Sequence, residues 1–177
     1  MTMEIPGLGP VTLDDELGWY QSQPIAVPVL GGQMCRIIVD GYDDDPDPED
    51  FHVAIRNFLS AEPRVLNDAE PHIYRYYQDC NAVWEPEDEE YIVIDSPSGV
   101  WQHIRLGTEP TVSRRLYGDE RVYVSLECEC DWEPEHGLQI VFEEGLRVNK
   151  VGGYDGHLTN SDAYDDARPE DVIYRGS

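Results

Sequence analysis

The densest run of potentially reactive side chains is Leu126-Glu-Cys-Glu-Cys-Asp-Trp-Glu-Pro-Glu-His136-Gly. Side chains alternate along a strand, so Val122, Val124, Leu126, Cys128, Cys130 and Trp132 share one face. Glu127, Glu129 and Asp131 share the other. Zinc takes thiolate and imidazole ligands, which makes Cys128, Cys130, His136 and His157 a candidate metal set, with Cys80 as a further donor. Cys-x-Cys is shorter than the spacer of about two to four residues usual in structural zinc sites. The apolar face supplies the alternative, in which both thiols pack in a core as small hydrophobes. A disulfide between them is disfavoured, because two strand steps separate Cα atoms by about 6.6–6.8 Å, the outer limit for bridging. The carboxylate face is expected to be solvated, or paired across strands with Arg114, Arg115 or Arg147.

Nucleophilic catalysis would need Cys80, Cys128 or Cys130 to work with His157. The surrounding acids raise a thiol pKa and suppress the thiolate, so no catalytic residue is assigned and an enzyme is not expected. Asp43, Asp45 and Asp47 stand at positions 1, 3 and 5 of an apparent calcium loop, but Pro48 occupies the glycine position and Ala54 the bidentate one. Helix capping explains that run better. No glycine loop suited to phosphate precedes a helical pattern, and no cofactor is expected. Gly152–Asn160 is a polar segment of turn-forming residues, of a type that also carries function.

The elements that must position these residues read as follows. Val11–Leu13, Ile25–Leu30 and Met34–Val39 are β-rich runs broken by glycine pairs and prolines. Phe51, Ile55, Phe58 and Leu59 form one helical stripe, entered through Asp47 as N-cap with Pro48 at the first position, and closed by Pro63. A second helix is expected over about 70–83, burying Ile73, Tyr76, Tyr77, Cys80 and Val83. Tyr91–Ile94 reads as a short strand, and Asp95-Ser96-Pro97 starts a third helix carrying Val100, Trp101 and Ile104. Thr111–Tyr117, Arg121–Trp132, Leu138–Phe142 and Leu146–Val151 make an antiparallel meander. The expected fold is one α+β domain over 1–177, an antiparallel sheet with about three helices packed on it and an acidic polar tail from about 160.

Charge bounds the partners. The 177 residues hold 37 Asp and Glu against 12 Lys and Arg, a net charge of −25. Nucleic acid and anionic membranes are disfavoured, and basic proteins or cations are favoured. The longest apolar stretches fall far short of the roughly 20 residues that span a bilayer. No secretory pattern opens the sequence, so a cytoplasmic location with reduced cysteines is expected. Adaptation to a salty cytoplasm would also explain the acids. They bunch, however, at 40–50, 85–90, 127–135 and 162–171.

Cys128-Glu-Cys-Asp-Trp-Glu-Pro-Glu-His-Gly-Leu138, followed by Tyr154-Asp-Gly-His-Leu-Thr159, resembles the signature of a bacterial domain family of unknown function. Ile5-Pro-Gly-Leu-Gly-Pro-Val11 extends the likeness over most of the chain. The resemblance implies a small cytoplasmic protein, among whose relatives are suspected toxin-immunity proteins, and carries no functional residue with it. Charge and resemblance together lead to an acidic protein-binding domain, an immunity protein that occludes the active site of a basic bacterial toxin. Its expected contacts are Tyr42, Asp43, Asp44, Asp45, Trp84, Glu87, Asp88, Glu89 and Tyr91. The alternative is a metal-binding protein or metal-dependent enzyme using Cys128, Cys130, His136 and His157. The sequence leaves the oligomeric state open.

Overall fold

Buried positions alternate with less buried ones from Val124 to Cys130 of the long strand Val122–Cys130, so one side of it is turned into the core. The computed structural model describes residues 2–164 and 172–176. The part of the expected acidic tail at 165–171 lies outside them. The strands are β1 (Thr2–Ile5), β2 (Gly9–Asp14), β3 (Trp19–Ser22), β4 (Ile25–Val27), β5 (Gln33–Cys35), β6 (Ile38–Val39), β7 (Ile104–Arg105), β8 (Thr111–Arg114), β9 (Val122–Cys130), β10 (Leu138–Glu143) and β11 (Arg147–Gly152). The helices are α1 (Glu49–Ser60), α2 (Pro63–Asn67), α3 (Glu70–Asn81) and α4 (Asn160–Tyr164).

A mostly antiparallel sheet of nine strands runs in the order β1-β2-β3-β6-β8-β9-β10-β11, with β7 pairing the far end of β9. β4 and β5 form a separate hairpin. The sheet is larger than the C-terminal meander expected from sequence, because β6 joins the N-terminal strands to β8 through one parallel pairing. Val39, Val112 and Val124 lie across neighbouring strands in register.

Helices cover one face. Phe51, Ala54, Ile55 and Phe58 of α1 are buried over β8 and β9, and Phe58 meets Phe142 edge-on at 5.2 Å. Ile73, Tyr76 and Tyr77 of α3 are buried, and both tyrosines contact Trp132 edge-on at 6.0 and 5.8 Å. One continuous core of buried side chains results.

Several local expectations change for identifiable reasons. Pro28 cannot continue a strand and begins a 3-10 turn over Pro28–Leu30. Met34–Val39 divides into β5 and β6, with Met34 exposed. Pro48, not Asp47, is the N-cap of α1, and no side chain caps the helix. The Asp47 amide instead donates to Asp45 at 2.9 Å, and its carbonyl accepts from Arg114 at 3.1 Å. Pro63 opens α2 as well as ending α1. α3 stops at Asn81 and leaves Val83 75% exposed. The third helix is a 3-10 segment, Pro97–His103, and Ile104 belongs to β7. β8 ends at Arg114, beyond which Leu116 and Tyr117 are exposed, as is Leu146 before β11. Tyr91–Ile94 is not a strand, since its backbone groups pair with side chains of α3.

Glu129 and Asp131 pair with Arg105, at 3.1 and 2.9 Å, rather than with Arg114, Arg115 or Arg147. Register decides this, because Arg105 lies directly opposite Glu129. Arg114 forks onto Asp45 at 2.7 and 2.8 Å and reaches Asp50 at 2.9 Å. Arg115 forks onto Asp162 at 2.8 and 2.9 Å and meets Asp119 at 3.4 Å. Arg147 pairs with Glu143 at 2.6 Å.

Two consequences are testable. Gly145 has φ +73°, and a Cβ there would lie 2.3 Å from the Ala54 carbonyl oxygen of α1. Gly145→Ala is expected to destabilise the protein by about 2–3 kcal/mol in urea unfolding, where an unhindered glycine replacement would stabilise it. The Arg114 guanidinium holds the Asp45 carboxyl below the usual carboxylate range. A depressed folded pKa gives stability that is complete above the unfolded value of about 3.9 and is lost as pH falls through the folded value. Asp45→Asn should therefore cost about 3 kcal/mol at pH 7, and the gap to wild type should narrow below about pH 4.

Candidate partner-binding surface

Tyr74, Tyr77 and Asn81 recur at spacings of three and four along α3 and so lie along one side of it. Their polar ends hold the returning chain. Tyr74 donates to the Ile94 carbonyl at 3.1 Å, and Tyr77 donates to the carbonyl of Ile92. The Ile94 amide donates to the Tyr77 hydroxyl at 3.0 Å, and the Ile92 amide to Asn81 Oδ1 at 2.9 Å. Asn81 Nδ2 completes the set by donating to the Tyr77 hydroxyl at 3.3 Å. Burial pushes the Tyr77 hydroxyl pKa up, so it stays protonated and able to donate.

Both ends of the intervening segment 82–90 are thus tied to one helix. Inside it the Trp84 amide donates to the Asn81 carbonyl, the Asp88 amide to the Glu85 carbonyl, and the Glu85 amide to the Asp88 carboxylate at 2.7 Å. Residues 82–90 are all exposed, Trp84 to 38%. Val93 is exposed beside them. Among the described residues, none of Glu85, Glu87, Asp88, Glu89 and Glu90 forms an ion pair. Between α3 and this loop lies a cleft of about 230 Å³, lined chiefly by Tyr74, Tyr77, Trp84, Tyr91 and Ile94.

The other expected contact run is committed elsewhere. Tyr42 is half-buried, edge-on to Tyr20 and Phe51 at 6.3 and 5.6 Å. Its hydroxyl donates to His52 Nε2 at 2.7 Å, while His52 Nδ1 donates to Glu49 at 3.0 Å. Asp43 accepts from Tyr20 at 2.8 Å, and Asp45 is clamped by Arg114. Asp44 lines an open groove of about 1,070 Å³ with Arg114, Arg115, Leu116, Tyr117 and His157. Every guanidinium in that groove already faces carboxylates.

Cys128 and Cys130 are buried on the helix-facing side of β9. Burial pushes their thiols up to about 12, against backbone hydrogen bonds that pull the other way, and burial with nearby Glu133 pushes Cys80 up to about 11. All remain thiols at neutral pH. Among the described residues, the His, Cys, Asp and Glu side chains that converge as a group within 4.8 Å are Glu133, Glu135 and His136, an exposed set without a cysteine or His157.

Sequence reasoning missed a network on the opposite face of the sheet. Lys150, the single lysine of the chain, is only 1% exposed. It donates to Gln139 Oε1 at 2.6 Å and to Asp155 Oδ1 at 2.8 Å. Gln139 donates in turn to Ser125 and to the His157 carbonyl, both at 3.0 Å, and Asn149 donates to the Leu158 carbonyl at 2.9 Å. The polar segment Gly152–Asn160 is therefore latched over β9, β10 and β11, and His157 contributes backbone to it. The available signal was a lone lysine among Val148, Val151 and other strand-forming residues.

Tyr77→Phe removes one hydroxyl that serves three partners and leaves buried groups unpaired. A loss of about 1–3 kcal/mol is expected in urea unfolding, with exchange of the Ile94 amide proton at least tenfold faster than in wild type.

Residues 7–158 match the family model described as Domain of unknown function (DUF6985). No curated protein and no solved structure matches the chain. Since that model covers most of its length, the chain belongs to the DUF6985 family of domains of unknown function.

Proposed function

We propose that this is a non-catalytic acidic domain that binds a basic protein through the loop 82–95. One observation carries the reading: Glu85, Glu87, Asp88, Glu89 and Glu90 stand exposed without a cation, beside exposed Val83, Trp84 and Val93, in a loop fixed at both ends by α3. Unpaired charge of one sign speeds encounter with an oppositely charged partner. Clustered exposed apolar and aromatic side chains give that encounter a desolvated centre. Preorganisation lowers the ordering cost of association. Nucleic acid is disfavoured as a partner by the net charge of −25. The finer reading is an immunity protein in the cytoplasm, since a toxin that cleaves nucleic acid must carry a basic substrate groove.

Co-expression with the product of the adjacent gene, followed by affinity capture at about 50 mM salt, tests this. The expected outcome is recovery of a basic protein whose association rate falls steeply with added salt. A Glu87→Gln, Glu89→Gln, Glu90→Gln triple variant should associate about tenfold more slowly while unfolding at the wild-type temperature. Association indifferent to salt and to these substitutions overturns the proposal.

A further inference from the structure

We propose that the cleft between α3 and the loop 82–95 accepts one arginine side chain of the partner. The inference rests on the protein-binding reading and deepens it by naming the group recognised.

Three observations lead to this occupant. The cleft, at about 230 Å³, is smaller than the roughly 300–1,000 Å³ of pockets for drug-sized ligands, and suits a single side-chain head group. Its lining mixes the rings of Tyr74, Tyr77, Trp84 and Tyr91 with Gln78 and Asn81. Tyr74, Tyr77 and Asn81 spend their polar groups on Ile92 and Ile94, whereas Gln78, Trp84 and Tyr91 keep theirs for a ligand. The partly exposed rings of Trp84 and Tyr91 add aromatic surface, which attracts a cation through its quadrupole. The carboxylates of Glu85, Glu87, Glu89 and Glu90, carried on the loop between Trp84 and Tyr91, supply the complementary charge and have no ion-pair partner among the described residues.

Guanidinium fits this arrangement better than ammonium. It is planar, stacks on aromatic faces, is weakly hydrated, and directs forked donors sideways to carboxylates. The chain places its own arginines over rings elsewhere, with Arg75 over Tyr174 at 5.7 Å, Arg114 over Phe51 at 5.9 Å and Arg175 over Tyr164 at 4.5 Å. Among the described residues, no cation of the chain lies over Trp84 or Tyr91.

The test is a titration of the ¹⁵N-labelled full chain with acetyl-Gly-Arg-Gly-amide, and with its lysine and citrulline counterparts. The Trp84 indole N–H, assigned through Trp84→Phe, is expected to shift with the arginine peptide. With the neutral citrulline peptide it should shift at least fivefold less, and with the lysine peptide clearly less than with arginine. Equal shifts from citrulline, or from lysine, overturn the assignment of guanidinium. Shifts confined to the amides of 85–90, without the indole, overturn the cleft. Trp84→Leu adds a second readout in the complex, where a loss of at least tenfold in partner affinity is expected without a change in unfolding temperature. Undiminished binding by Trp84→Leu, alongside weakened binding by the Glu87, Glu89 and Glu90 triple variant, sinks the cleft and leaves the protein-binding reading standing. Indifference of partner binding to both variants removes the two together.

Discussion

Three cations set against the sheet hold its polar coverings in place. Arg114 gathers Asp45, Asp50 and the Asp47 carbonyl, which fixes the acidic run leading into α1. Arg115, 3% exposed, gathers Asp119 and Asp162 and so ties the turn after β8 to α4. Lys150 gathers Gln139 and Asp155 and seats the segment after β11. A charge removed from water is costly unless it is paired and hydrogen-bonded, so each of these cations obliges the carboxylates around it to stay. The burial of Lys150 pushes its pKa down, and the Asp155 carboxylate opposes that shift.

This constraint accounts for much of the acid excess. Asp45, Asp50, Asp119, Asp155 and Asp162 answer interior or half-buried cations, and Glu129, Asp131 and Glu143 answer surface arginines. With so few cations in the chain, carboxylates remain without one. Those at 85–90 stand in a loop that contacts the body through the side chains of α3. Helices thus cover one face of the sheet and latched polar chain covers the other over β9, β10 and β11, while 82–90 stays exposed between Asn81 and the core-packed Ile92 and Ile94. Rigidity at both ends and exposure between them suit the docking surface proposed for this loop.

Legibility from sequence follows the range of the interactions involved. The stripe of Phe51, Ile55 and Phe58 and the alternation along β9 were readable because burial of one face imposes a local period. The core position of the thiol pair was open to the same argument, with a metal site as its competitor. Tyr91–Ile94 was misread as a strand because its apolar pattern is strand-like, while its hydrogen-bond partners belong to a helix over ten residues away in sequence. Arg105 as the partner of Glu129, and the clamps of Arg114 and Arg115, depend on strand register and on loops brought in from remote sequence. Nothing local to those residues specifies such pairings.

By itself the sequence determined an α+β chain with an apolar β9 face, two amphipathic helices and far more carboxylates than its cations can pair. These properties are sums and short periods, and they survive any folding of the loops. Only the tertiary structure decided which acids are spent. Asp43–Asp45 and Glu85–Glu90 are alike in composition, but Arg114 and Tyr20 lie within hydrogen-bond reach of the first run, and no cation faces the second among the described residues. Pairing falls off over a few ångströms, so only three-dimensional proximity separates acids that hold the fold together from acids left without a cation.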